Sequence, residues 1–346
     1  MSNIKLLDCT LRDGGYVNQW NFGNDAICNI LKLMFLTKVD IIEAGFIRNV
    51  LYDQNKVVFS ELKKLDKLMM DNKIVKGKSQ LAVMAEISRP LPLDMIEPSN
   101  KTDVDIIRVI VWKTKHTPDG EEKDVLAESL EYCKGIVQKG YKVCVQPNRT
   151  DQYSDEEFIN MLNMFSEINP YAIYVVDSWG TMYSNQVLHY MRIADHVLPK
   201  HIRLGFHGHN NMMQTFSAAE KIVECDFERE IILDASIDGI GRGAGNLNLE
   251  LIARYLNHEK DYSYNLDPIY EIYDSYIKPL RDSYFWGSSL PFLLSADQNA
   301  NPSYVLDFLE SLTTKEMSQV YKLMDERDKI LYTAELAEQY MRKVKG

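Results

Sequence analysis

The chain has 346 residues, 45% hydrophobic and 26% charged, with 39 Lys+Arg against 50 Asp+Glu and a formal net charge of −11. That composition excludes a largely disordered, collagen-like or coiled-coil chain, and the acidic balance argues against nucleic acid or an anionic membrane as partner. No apolar run is long enough to span a bilayer, the amino terminus turns polar too early for a secretory signal, and the five cysteines are widely spaced without a C-x-x-C pair. A cytoplasmic chain without a disulfide framework or a zinc–thiolate site is expected.

Short apolar runs alternate with helical patterns over about the first 258 residues. The predicted strands are Ile4–Cys9, Asp40–Phe46, Gln80–Ala85, Ile106–Val111, Lys142–Gln146, Ile173–Asp177, Arg203–His209 and Ile231–Ser236. Each is nearly continuous in Ile, Val and Leu, as parallel strands covered by helices should be. Between them lie amphipathic stretches such as Asp25–Lys38, Glu121–Lys139, Asp155–Ile168 and Asn185–Leu198, the third with Ser154 as N-cap and three acids in its first turn. Eight strand–helix units predict an α/β fold, a (β/α)₈ TIM barrel over 1–258 rather than an open sheet. Residues 259–346 read as a mainly helical carboxyl-terminal region.

In such a barrel the chemistry sits at the carboxyl ends of the strands. The first strand leads into Thr10-Leu11-Arg12-Asp13, the second carries Glu43, the sixth ends at Asp177, and the seventh ends in His207-Gly208-His209. Residues i and i+2 of a strand share a face, so the two imidazoles can converge on one ion. An arbitrary H-x-H serves as readily in a polar loop. Here it ends a buried strand, and Asp13 stands at another strand end, which favours a divalent metal. A nitrogen and oxygen donor set fits Mn²⁺, Mg²⁺, Co²⁺, Fe²⁺ or Zn²⁺. Arg12 beside Asp13 is placed to face a developing oxyanion. His116, after the fourth strand, is a candidate for lining the site. Glu43, Asp177 and Arg149 are candidates for substrate contact or for barrel packing. The run Gly239–Asn246, GIGRGAGN, matches a dinucleotide fingerprint only nominally; it follows the eighth strand instead of opening an early βαβ unit.

TLRDGG on the first strand, IIEAGF on the second, GFHGHNN on the seventh and GIGRGAGN after the eighth resemble, in order, the motifs of the DRE-TIM metallolyase (HMGL-like) superfamily. VVDSWGTM, DASIDGIGRGAGN and YFWGSSLPFLLSA lean toward its 4-hydroxy-2-oxovalerate aldolase branch. The resemblance implies that Asp13, His207 and His209 bind a divalent metal, most readily Mn²⁺, with Asn246 matching a further ligand of some members. It implies that Arg12 stabilises the enolate of a 2-oxoacid such as pyruvate while a carbon–carbon bond forms or breaks. Two positions depart from that branch. Tyr16 stands where its catalytic histidine would be, and Gly287, beside Trp286, replaces its carboxyl-terminal tyrosine. Tyr16 and His116 are therefore the expected proton-handling or orienting groups. Two other readings are a Claisen-type synthase joining an acyl-CoA to a 2-oxoacid, and a catalytically inactive barrel that binds a ligand or partner. A homo-oligomer and an aldehyde dehydrogenase partner fit the branch, but no residue pattern carries either.

Overall fold

The computed structural model describes residues 3–116 and 122–345. Eight parallel strands form a closed barrel: β1 (Ile4–Asp8), β2 (Ile41–Ile47), β3 (Gln80–Glu86), β4 (Ile106–Val111), β5 (Lys142–Pro147), β6 (Ala172–Asp177), β7 (Arg203–Gly208) and β8 (Ile231–Ala235). Each strand pairs with the next, and β1 closes the ring against both β2 and β8, with Leu7 opposite Ile41 and Leu6 opposite Leu233. Every strand lies within one residue of its predicted span at each end.

Alternation along the strands sorts the side chains. Outward residues such as Leu6, Val83, Leu204 and Phe206 join one continuous core with the surrounding helices. Inward, Leu7, Ile41, Ala82, Ile106, Cys144, Tyr174 and Ile232 form an apolar floor. Tyr174 fits because β7 offers Gly205 opposite it, where a Cβ would collide with the ring. Two residues further along three of these strands the interior turns charged, at Glu43, Arg108 and Asp234, all buried. Strand geometry puts them one layer above Ile41, Ile106 and Ile232, directly beneath the barrel mouth.

Helices follow most strands: α1 (Thr10–Asn18), α2 (Asn24–Met34), α3 (Leu62–Asp71), α4 (Leu126–Gln138), α5 (Asp155–Ser166), α6 (Ser184–Val197), α7 (Thr215–Glu224) and α8 (Leu249–Glu259). Ser154 does cap α5, in a capping box with Glu157. The eight units are not uniform, however. Between β3 and β4 only two 3₁₀ turns occur, Leu93–Met95 and Ser99–Lys101. Pro90, Pro92 and Pro98 crowd this stretch, each lacking the N–H that a helix interior needs. The stretch predicted as helix from Glu121 starts later, at Leu126, because Glu122–Asp124 pairs in a hairpin with Thr114–His116.

The remaining chain is helical, ending in Leu290–Asp297, Ser303–Leu309, Thr314–Leu323, Glu326–Ile330 and Ala334–Lys345. It is tied to the barrel mouth by Trp286 Nε1 donating to the Asp238 carbonyl (3.2 Å), Arg149 to Asn299 (2.7 Å) and Arg242 to Asn301 (2.8 Å). Asp177 belongs to this framework as well. Its carboxylate accepts from the backbone of Thr181 and Met182, closing the turn after β6.

Candidate metal centre

Asp13 lies in the first turn of α1, one turn beyond the end of β1, rather than at the strand end itself. That displacement swings its carboxylate over the barrel mouth toward His207 at the end of β7 and His209 just past it. One donor atom from each of the three lies within 4.8 Å of the others, and all three residues are buried. The imidazoles stand at 87° with centroids 5.2 Å apart, the shared face that H-x-H spacing predicts.

Neighbours set the protonation of each donor. His209 Nδ1 lies 3.0 Å from the Arg242 carbonyl, which can only accept, so Nδ1 carries the proton and Nε2 is left with its lone pair. His207 Nδ1 lies 3.0 Å from the Asp234 carboxylate, which orients the ring with Nε2 toward the site. Burial pushes His209 down to about 3, with Asp13 opposing, so its ring is neutral at physiological pH. Burial also works against the charge of Asp13. Arg12, the two imidazoles and Asn246 together outweigh it and hold that carboxyl well below the usual range. A neutral His209 and an ionised Asp13 are what a divalent cation requires of these ligands.

The layer beneath completes the balance. Arg12 is ion-paired to Asp13 and, through Nε, to Glu43 at 2.7 Å. Arg108 bridges Glu43 (2.8 Å) and Asp234, and Asp234 in turn supports His207. Three carboxylates against two guanidiniums leave 2 − 3 = −1 in a water-poor interior, a deficit that a bound cation offsets. Asn246 adds a further sign of fit, since its amide oxygen is buried without a partner among the described residues. Its Nδ2 faces Asp13 at 2.7 Å and is held there by the Ile240 carbonyl at 3.1 Å. Asn246 thus orients Asp13 through Nδ2, while its Oδ1 stays without a partner among the described residues. The close approach depends on Gly241, where a Cβ would run into Asn246 Nδ2 and stand 2.5 Å from Asp13 Oδ2.

Above the donors lies a small cavity lined by Arg12, Tyr16, Gln146, Asn148, Ser178 and Arg242 among others. Tyr16 therefore faces the site as expected, packed edge-on to Trp20 and Phe46. Burial, with Glu86 and Asp13 nearby, raises its pKa above the ordinary tyrosine value, so the phenol keeps its proton. Glu43 does not reach the cavity; it is completely buried between Arg12 and Arg108. Asp177 does not line it either. The backbone of His116 pairs with Glu122, and its side chain lies outside the described positions. Sequence reasoning passed over Arg108 and Asp234, although a lone charge inside IIRVIV and inside IILDA is itself a signal. Charged residues are almost never fully buried unless paired.

The chain is similar in sequence and fold to known proteins. 4-Hydroxy-2-oxovalerate aldolase of Bacillus thuringiensis (strain Al Hakam) is 22% identical over 274 residues, 78% of this chain and 74% of its own length. The protein of the same name from Shewanella halifaxensis is 28% identical over 130 residues, 37% of each chain. Among solved structures, the N-terminal domain of a Bacteroides vulgatus protein described as an aldolase superposes with a TM-score of 0.71 at 25% identity. That match covers 89% of this chain and 97% of the other. HMG-CoA lyase from Brucella melitensis shares the fold, with a TM-score of 0.61 at 14% identity over 82% of this chain and all of the other. The HMGL-like family model matches residues 3–275. With that match across most of its length, and with the barrel those relatives share, the chain belongs to the HMGL-like family of lyases and aldolases.

Proposed function

We propose that the protein is a divalent-metal-dependent carbon–carbon lyase of the aldolase type, interconverting a 4-hydroxy-2-oxoacid with a 2-oxoacid and an aldehyde. The observation that carries this reading is the convergence of Asp13, His207 and His209 beneath a cavity that also exposes Arg12. The thiolate-free donor set favours Mn²⁺, with Mg²⁺, Co²⁺ or Zn²⁺ as substitutes. A bound divalent ion supplies Lewis acidity toward the 2-oxo oxygen of the substrate.

In the cleavage direction the C3–C4 bond breaks and its electron pair returns to C3 and the C2 oxygen. The C4 hydroxyl proton leaves to water, giving the aldehyde, and C3 takes a proton from water, giving the 2-oxoacid. Arg12 is clamped by Glu43 and Asp13 with little freedom, so its charge is preorganised for the oxygen on which negative charge grows. Tyr16, held as a phenol, donates to a substrate oxygen instead of removing a proton. Arg242, which makes no ion pair with a described residue, offers a second cation to the substrate carboxylate at the cavity edge. The barrel, 1–258, carries these groups, and region 259–346 covers its mouth. All five cysteines are unpaired, which supports a reducing compartment.

The test is exchange of the C3 protons of pyruvate with deuterated water, followed by NMR with the Mn²⁺-loaded protein. Exchange should require metal and should fall about a hundredfold in Arg12→Lys, because lysine lacks the planar fork. Metal-independent exchange, or an unchanged rate in Arg12→Lys, contradicts the reading.

A further inference from the structure

The cavity over the metal-ligand corner does not end at its rim. Tyr16 and Arg242 line it and also line a second, wider cleft, formed between the Gly241–Gly243 loop and the carboxyl-terminal helices. The outer wall of that cleft carries Tyr284 and Phe285 from one turn and Leu306 and Leu309 from the helix Ser303–Leu309. All four are large and apolar, yet they are 43%, 48%, 47% and 37% exposed. Contiguous apolar surface left open beside a polar pocket marks a place where something apolar binds.

We infer that this cleft receives the chain of the aldehyde half of the substrate, so the natural 4-hydroxy-2-oxoacid bears an extended aliphatic or aryl group at C4. The inference rests on the aldolase reading above and adds the substrate class to it. The small inner cavity suits the three-carbon 2-oxoacid unit, with Arg12 and Arg242 near its charged end. The C4 substituent then lies toward Tyr16 and Arg242, the two residues that the inner cavity shares with the apolar cleft. A two-carbon aldehyde stops short of Leu306 and Leu309 and gains nothing from them. Each methylene that leaves water there raises kcat/KM by up to about fourfold.

The experiment is aldol addition of pyruvate to acetaldehyde, butanal, hexanal and phenylacetaldehyde, using the Mn²⁺-loaded full chain, with pyruvate proton exchange measured in the same samples. The expected result is a kcat/KM for hexanal at least about tenfold above that for acetaldehyde, and a ratio that collapses toward one in Leu306→Asp. Leu306 is half exposed, so a polar residue is tolerated there, and the melting temperature verifies it. Exchange without chain-length preference overturns the cleft assignment and leaves the aldolase reading standing. Absence of exchange overturns both.

Discussion

The centre of the barrel and the last helical segment are both buried and both apolar in outline, yet they are held in opposite ways. Around Tyr304, Phe308, Met317, Val320 and Tyr321 the helices share an apolar core without a single ion pair among these five side chains. There the Tyr304 hydroxyl reaches the carbonyls of Asp328 and Leu331, each at 2.7 Å, and the Tyr340 hydroxyl reaches Asp328. Under the barrel mouth the chain instead runs from Asp13 through Arg12, Glu43 and Arg108 to Asp234 by ion pairs, and Asp234 in turn lies 3.0 Å from His207 Nδ1. Apolar packing of the same volume would serve stability as well or better. What the ionic layer adds is an oriented His207 and a fixed Arg12, so the difference teaches that this layer is arranged for the site.

The largest effect that would break this contrast comes from a matched pair of variants. Arg108→Ala leaves Asp234 buried without a guanidinium and Glu43 with Arg12 alone, and should cost about 3–5 kcal/mol. Phe308→Ala should cost a similar amount, about 3–5 kcal/mol, through the cavity it leaves. The two should separate on metal affinity, measured by titration with Mn²⁺: Arg108→Ala loses it, because His207 loses its support, whereas Phe308→Ala keeps it. Equal affinity in both would make the ionic layer merely structural.

A smaller effect is expected at Tyr16. Tyr16→Phe should lower turnover on the order of tenfold, about 1.4 kcal/mol, with the shape of the pH–rate profile unchanged. Loss of one limb of that profile would make Tyr16 the proton-transfer group.

How much of this was legible in the sequence follows from the same physics. Parallel strands buried on both faces read as continuous Ile, Val and Leu, so all eight were found within a residue. The His207 and His209 pair was legible because period two puts i and i+2 on one face. Asp13 was found but placed on the strand, since nothing in TLRDGG marks the helix that starts at Thr10. For Glu43 the sequence leaves substrate contact and barrel packing open, and the structure shows it buried between two guanidiniums. Its partners Arg12 and Arg108 come from α1 and β4, and pairing across a barrel is invisible to local pattern. The absent helix between β3 and β4 was signalled by three prolines in nine residues, Pro90 to Pro98, a signal that the count of eight regular units overrode.

The smallest effect concerns Asp177. Burial, with Asp151 nearby, raises its carboxyl to about 7, whereas an unfolded aspartate titrates near 3.9. The folded state therefore holds the proton more tightly. Its stabilisation is complete below about pH 4 and is lost as pH rises through about 7. Asp177→Asn should gain in melting temperature relative to the unaltered chain over that interval and level off above it. A difference that stays flat from pH 4 to 8 would show that Asp177 is ionised throughout and that backbone donors alone hold the turn.

The most direct measurement of the central claim is the metal content of the purified chain after equilibration with Mn²⁺ and removal of excess, beside Asp13→Ala, His207→Ala and His209→Ala. Elemental analysis should give about one divalent ion per chain in the unaltered protein and less than about a tenth of that in each variant, with the circular dichroism of the barrel retained. Full occupancy in the variants, or none in the unaltered chain, would contradict the claim that these three side chains form the metal site.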